Sequence, residues 1–276
     1  MNYRLLVTDL DGTLVGGGGS LNERDLVAIG ALQQRGVLVS IATGRMYSGT
    51  RDIARRIGVA GPVACIDGSH IVDARTDADL ACHVLEPAAL RLTTEVLREA
   101  GAATVVFSRD VIWYDRFSAP HLPFLTVWSD RTEEVPEVLA HSRWGEDGAV
   151  AAVVAIAPAA RLSTARDRLL AAPAVRVQAV LFMIDREGTA GMVLRAAGAS
   201  KGTALEWIAR HHGVEPEAVV AVGDWLNDIP MLRVAGRSFC MAQSPPEVAA
   251  AATERLEADG WSGGGIAEAA ERAGLL

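Results

Sequence analysis

Two carboxylates, Asp9 and Asp11, stand two residues apart in Val7-Thr8-Asp9-Leu10-Asp11-Gly12-Thr13-Leu14, at the end of an apolar run and just before a glycine. Arg4 to Thr8 reads as a short buried strand, because Leu5, Leu6 and Val7 are apolar and a chain breaker comes next. Side chains alternate along a strand, so positions i and i+2 lean the same way. Asp9 and Asp11 are therefore expected to reach one point just beyond the strand's carboxyl end. Two close carboxylates repel and raise one pKa unless a cation or a proton lies between them. A Mg²⁺ site fits, since that ion takes a few carboxylate oxygens together with phosphate and water. Gly12 lets the backbone turn sharply and approach a ligand. The competing reading is an ordinary turn, for which Asp and Gly after a strand are common formers.

Three more places carry groups of this kind. Thr43 brings a hydroxyl and precedes Gly44, so a helix amino terminus with free N–H groups is expected just beyond it, which is an anion site; the plainer reading is an N-cap threonine. Lys201 opens a helix, where the dipole disfavours a cation; phosphate is one partner that would hold it there, and solvent is the alternative. Asp224, Asn227 and Asp228 form a second acidic cluster in Gly223-Asp224-Trp225-Leu226-Asn227-Asp228, which also reads as a turn with an N-cap.

These residues serve one site only if the elements that carry them end together. The first third alternates strand and helix. Ser20 is placed as an N-cap, with Glu23 three residues on at the capping-box spacing. The next helix covers 21–35, with Leu26, Ile29, Ala31 and Leu32 inward and Gly36 ending it. Residues 37–42 read as a second buried strand, 47–58 as a helix and 63–66 as a third strand. Apolar strands in this alternation predict a parallel sheet covered on both faces. Ligands of such sheets bind beyond the carboxyl ends of the strands.

From about His83 to Glu187 the pattern changes. Residues 86–99 are helical in pattern, and 104–108 with 111–115 read as a hairpin about Arg109-Asp110. Residues 149–157, 160–171 and 175–184 read as strand, helix and strand. Trp113, Tyr114, Trp128 and Trp144 gather in this stretch. It is read as an α+β insert with its own core. The parallel pattern resumes with a helix over 201–212, a strand over 218–222, a helix from about Ile229, a short strand at 239–241 and a helix from Pro246. Gly16 to Gly19 form a glycine run that serves as a hinge near the site or as a plain linker.

Composition narrows the function. The chain has 276 residues, half of them hydrophobic, and 26 basic against 34 acidic residues give a net charge of −8. That excess argues against a nucleic-acid surface, which needs clustered Lys and Arg. A small phosphorylated substrate stays open, because a metal can supply local positive charge. Three cysteines, Cys65, Cys82 and Cys240, form no Cys-x-x-Cys pair; buried free thiols in a reducing cytosol are expected. The most apolar stretch, 149–160, falls short of the roughly 20 residues of a membrane span. Met1-Asn2-Tyr3-Arg4 runs straight into the first strand with no signal peptide. The expectation is a soluble cytoplasmic protein with no nucleic-acid or membrane partner, a monomer or small homo-oligomer.

The order of the motifs resembles the haloacid dehalogenase superfamily of phosphohydrolases. Asp9 to Leu14, Ser40-Ile41-Ala42-Thr43-Gly44-Arg45, Ser200-Lys201-Gly202 and Gly223 to Asp228 are similar to its four motifs in turn. The long insert between the second and third resembles the Cof-type branch, subclass IIB. The resemblance implies an α/β fold: a Rossmann-like doubly wound parallel sheet core (1–82 and 191–276) with an inserted α+β cap domain (83–190) that chooses the leaving group. It implies Asp9 as the nucleophile that becomes an aspartyl-phosphate and Asp11 as the general acid, then base. It further implies Thr43, Gly44, Lys201 and Asn227 on the phosphoryl oxygens, and Mg²⁺ held by Asp9, Asp11 through its backbone carbonyl, and Asp224, with Asp228 nearby. Two departures stand out. Trp225 replaces a small or polar residue beside the metal loop, and Asp67-Gly68 stands where this branch commonly has Asn-Gly.

The reading is therefore a Mg²⁺-dependent phosphatase of small phosphorylated metabolites, sugar phosphates among the candidates. Two alternatives remain on the same core: a phosphomutase or phosphotransferase, which passes phosphate to a sugar rather than to water, and a non-catalytic metabolite-binding protein.

Overall fold

In the computed structural model of the chain, residues 3–108, 110–126, 128–140 and 150–276 are described. The order begins β1 (Leu5–Thr8), α1 (Glu23–Gln34), β2 (Leu38–Ile41), α2 (Arg51–Arg56), β3 (Pro62–Cys65), β4 (His70–Asp73) and β5 (Ala78–Cys82). It continues α3 (Pro87–Ala100), β6 (Ala103–Ser108), β7 (Val111–Tyr114), α4 (Leu122–Leu125), β8 (Thr132–Glu134), β9 (Ala152–Pro158), α5 (Ala159–Ala171), β10 (Val177–Met183) and β11 (Thr189–Ala196). It closes with α6 (Lys201–His211), β12 (Val219–Gly223), α7 (Ile229–Val234), β13 (Arg237–Cys240), α8 (Pro246–Ala249), β14 (Glu254–Arg255) and α9 (Gly265–Arg272). Two units result: Met1–Gly44, Thr50–Leu80 and Ser200–Leu276 form the first, Arg45–Gly49 and Ala81–Ala199 the second.

The first unit is built on a parallel sheet in the order β14-β13-β12-β1-β2. Leu5, Leu6 and Val7 are fully buried because β1 lies between two neighbours, and each such side chain contributes about 1.5–3 kcal/mol of apolar burial. In the register, Thr8 lies opposite Ile41 on one side and Val222 on the other. The carboxyl ends of β1, β2 and β12 are thus level.

Several local expectations shift. The N-cap of α1 is Asn22, whose side chain accepts from the Arg24 N–H, while Ser20 donates back to the Gly17 carbonyl. The inward face of α1 holds Asp25 beside Ala28, Ile29 and Leu32. That buried carboxylate accepts from the Gly264 and Ala267 amides at 2.8 and 2.9 Å and so caps α9. The third strand touches the parallel sheet through one bridge, Ala42 to Ala64, and otherwise pairs antiparallel with β4. Pro62 brings no N–H to a ladder. A turn of three positive-φ residues, Ile66, Asp67 and Gly68, folds the chain back so that Cys65 faces His70.

The second unit holds a six-stranded sheet in the order β10-β11-β9-β6-β7-β8, antiparallel except for β7 with β8. Its core joins Leu90 and Leu97 of α3 and Leu162 and Leu169 of α5 to Trp113, Met192 and Leu194. The expected hairpin of 104–108 with 111–115 is present, Ser108 facing Val111; Arg109, Trp144 and Ala149 lie outside the described residues. β11 has no counterpart among the elements expected from sequence. It pairs with both β9 and β10, so a return to the first unit at residue 191 would split a strand, and the unit ends at Ala199 instead. Cys65 and Cys240 are buried, but Cys82 is exposed rather than buried. No helix among the described residues is long and apolar enough to cross a membrane.

Candidate active site

The level strand ends carry the acidic residues to one place. Asp9 comes directly after β1, and its amide continues the ladder by donating to the Val222 carbonyl at 2.9 Å. Asp224 comes directly after β12, and Lys201 is the first residue of α6. Ser200 and Thr203 cap that helix reciprocally, which fixes where the lysine side chain starts. Lys201 is 1 % exposed. Its Nζ donates to Asp9 Oδ1 and to Asp228 Oδ1, both at 2.6 Å, and lies 4.0 Å from Asp67 Oδ1. A cation in the first helical turn thus finds carboxylate partners.

Asp228 is fully buried and held at both oxygens. Oδ1 meets Lys201, while Oδ2 accepts from the backbone amides of Asp224 and Trp225 at 2.8 and 2.9 Å. It braces the loop between β12 and α7. Asp224 accepts from the Thr13 hydroxyl at 3.3 Å and from Gln243 Nε2 at 3.2 Å. Gln243 also donates to the Gly12 carbonyl at 2.8 Å, tying the first acidic loop to the second. Gly12 is required: φ is +80°, and a Cβ there would collide with the Asp224 carboxylate, 3.0 Å from its Cγ.

Burial and mutual repulsion set the charges. Burial is the main cause that lifts the Asp9 carboxyl well above its ordinary value; Lys201 opposes the lift, and Asp228 and Asp224 add to it. Burial, then Asp228, pushes Asp224 up to about 6. Burial alone would lower the Lys201 ammonium, but Asp228 and Asp9 outweigh it and push it up to about 12.

Asp9, Asp224 and Asp228 each offer a carboxylate oxygen, and these oxygens lie within 4.8 Å of one another. Three carboxylates against one ammonium leave this buried group negative in excess. An all-oxygen, anionic donor set suits a hard divalent cation such as Mg²⁺. The residues present therefore fit a metal.

The other expected residues divide. Asp11 is exposed, and its carboxylate is not in the acidic group. The strand ends at Thr8 and a turn begins at Leu10, so strand alternation does not extend to Asp11. Thr43 is buried; its amide donates to Ala64 and its carbonyl accepts from the Asp67 amide at 2.8 Å. No helix starts beyond Gly44: α2 begins at Arg51, after turns. Asn227 donates to Asp67 Oδ1 at 2.7 Å. The backbone of Gly44 borders the same carboxylate, a Cβ built there lying 3.5 Å from Asp67 Oδ1. Trp225 is 54 % exposed. Sequence reasoning assigns no role to Asp67, Gln243 or Thr13. Thr13 lies in the first acidic motif and Asp67 in one of the two departures from the family pattern, while nothing around Gln243 signals its contact.

Residues 6–269 match the family model of haloacid dehalogenase-like hydrolases. An HMP-PP phosphatase of Serratia proteamaculans is 25 % identical over 260 residues, covering 89 % of this chain and 86 % of that protein. A phosphoglycolate phosphatase of Methanopyrus kandleri is 26 % identical over 266 residues, covering 94 % and 93 %. Among solved structures, a subclass IIB sugar phosphatase of the same superfamily superposes with a TM-score of 0.79 at 18 % identity, covering 99 % of this chain and all of that one; that likeness establishes the fold.

Proposed function

Since the chain belongs to the haloacid dehalogenase-like hydrolases and is a phosphatase of that family, we propose that it is a Mg²⁺-dependent phosphomonoesterase of small metabolites working through Asp9. The observation that carries this reading is the Lys201 ammonium bridging Asp9 and Asp228 at 2.6 Å each, with Asp224 gathered beside them. Lys201 takes Oδ1 of Asp9 and thereby orients the carboxylate; Oδ2 is the oxygen offered to phosphorus. Asp9 and Asp224 would hold the metal together with the Asp11 backbone carbonyl, while Asp228 positions Asp224 and Lys201. When bound, Mg²⁺ supplies the positive charge that lets a phosphoryl dianion approach a carboxylate.

The chain's own groups then act in order. Asp9 attacks phosphorus and forms an aspartyl-phosphate as the ester P–O bond breaks. Asp11 gives its proton to the leaving oxygen, and its exposed position suits exchange with solvent and substrate. Asp11 next takes a proton from the water that attacks phosphorus, releasing phosphate and restoring Asp9. Thr43, the Gly44 backbone, Lys201 and Asn227 bind the phosphoryl oxygens. The choice of leaving group is assigned to the second unit. HMP-PP, phosphoglycolate and sugar phosphates, the substrates that relatives' names give, define the class to screen.

The test is phosphate release from a panel of phosphorylated metabolites with Mg²⁺ and with a chelator. The expected result is turnover that the chelator removes and that Asp9→Asn abolishes. Turnover surviving in Asp9→Asn would sink the reading. Phosphate appearing on a sugar acceptor rather than in water would assign a phosphotransferase instead.

A further inference from the structure

We propose that Asp67 sets the anion selectivity of the phosphoryl pocket, acting as a resident anion that competes with free phosphate for Lys201 and Asn227. The inference rests on the reading of those two residues as phosphoryl-binding, and it adds a residue that this reading leaves without a role.

The side chain of Asp67 is 13 % exposed and borders three of the four expected phosphoryl-binding positions. Its Oδ1 accepts from Asn227 Nδ2 at 2.7 Å, lies 4.0 Å from Lys201 Nζ, and stands 3.5 Å from where a Cβ on Gly44 would be. A carboxylate oxygen thus takes one donor, the Asn227 amide, and stands at ion-pair distance from a second, the Lys201 ammonium.

The backbone holds it there under strain. Ile66 and Asp67 have φ of 51° and 49°, a conformation L-residues seldom adopt and β-branched ones least of all. Such a conformation persists only where the surroundings over-determine it. Here the Asp67 amide donates to the Thr43 carbonyl at 2.8 Å. The next residue, Gly68, packs against the Ser200 carbonyl at the start of α6, where a Cβ would be 3.1 Å from Ser200 C. The turn is therefore clamped between the segments that carry Thr43 and Lys201, and the carboxylate is placed by both. An incoming phosphate must take the amide of Asn227 from Asp67 and then remain beside a second anion. The consequence is a pocket that holds phosphate ion weakly and releases it readily after turnover.

The experiment is isothermal titration of inorganic phosphate into the full chain with Mg²⁺, for the wild type, Asp67→Asn and Asp67→Gly. Asn and Gly are the residues that best tolerate positive φ, so the turn is kept, and each variant's melting is compared with wild type. Removing the charge is expected to tighten phosphate about tenfold or more, the order expected when one unit charge leaves a partly buried pocket. A residue that merely steadied Asn227 would do the reverse, with Gly weakening phosphate. Phosphate bound no more tightly in either variant overturns the proposal; should one variant fail to fold, the other decides. If the wild type cleaves esters yet neither variant gains phosphate affinity, the competition alone fails. If the variants gain affinity but no ester is cleaved, the proposed chemistry alone fails. Phosphate binding to none of the three, with no ester cleaved by the wild type, overturns both.

Discussion

Replacing Lys201 with Met keeps the length of the side chain and removes one buried positive charge from between two carboxylates. The ammonium touches Asp9 and Asp228 at 2.6 Å each and is 1 % exposed. Taking one partner from a buried ion pair costs about 3–5 kcal/mol, because the remaining charge is left uncompensated. A smaller figure comes from the lysine's own titration. Its value in the folded chain is raised from 10.5 to about 12, which corresponds to about 2 kcal/mol. That contribution is present below 10.5 and lost only as pH rises toward 12. The larger figure governs at neutral pH, since the variant also strands Asp9 and Asp228. The defect should therefore depend on acid. Burial pushes Asp224 up to about 6 and lifts Asp9 in the same direction, so protonation of Asp224 at pH 5 relieves part of the repulsion that Lys201→Met exposes at pH 8. Urea unfolding followed by circular dichroism at both pH values, in chelator, measures this. Adding Asp9→Asn to Lys201→Met should recover part of the loss at pH 8. A Lys201→Met chain as stable as wild type at pH 8, or one with an equal deficit at pH 5, would refute the electrostatic account.

Three further outcomes are expected. Gly12→Ala forces a Cβ at φ +80° into the Asp224 carboxylate; the Mg²⁺ concentration for half-maximal phosphate release should rise about tenfold, with ~1–3 kcal/mol of backbone strain seen in melting. Mg²⁺ binding should release more protons near pH 6 than at pH 8, since burial pushes Asp224 to about 6; calorimetry in buffers of differing ionisation enthalpy reads this, and a buffer-independent heat at pH 6 would contradict it. Asp25→Ala removes the acceptor of two amides that cap α9 and should cost about 1–3 kcal/mol. Burial raises the Asp25 carboxyl above 3.8, so the wild type's advantage over Asp25→Asn should shrink as pH climbs above that value. Thermal melts at pH 4 and 7 check the sign.

The acidic site is legible where local pattern and sheet register agree. An apolar run ending in Asp9 marks a central strand, and the same logic brings β12 and Asp224 to the same edge. Lys201 is legible as a misplaced cation, although its partners here are Asp9 and Asp228. The remaining features escape for reasons of distance along the chain or of conformation. The strand ends at Thr8 and a turn begins at Leu10, so strand alternation is no guide to the Asp11 side chain, which is exposed while Asp9 is buried. Asn22 takes the cap expected of Ser20, because both residues can accept and only tertiary contacts choose. Asp25 on an inner helical face looks polar and outward until α9, some 240 residues later, supplies the amides. β11 contains Gly191 and Arg195, which mask it as a strand, yet it is buried because it has strands on both sides. Gln243 reaches Gly12 and Asp224 from a segment with no motif of its own.

The pairing of β1 with β12, Leu5 beside Val219, has a bearing on how the protein is made. On a ribosome adding ~5–20 residues each second, the first strand emerges ~10–40 s before the neighbour that completes its hydrogen bonding. Until then the nascent chain presents Leu5, Leu6 and Val7 along an unsealed edge, which is the kind of surface chaperones engage and other nascent chains can pair with. Birth of the enzyme is thus deferred to the closing stretch of translation: a message truncated before the codon for Val219 yields both early motifs and no pocket.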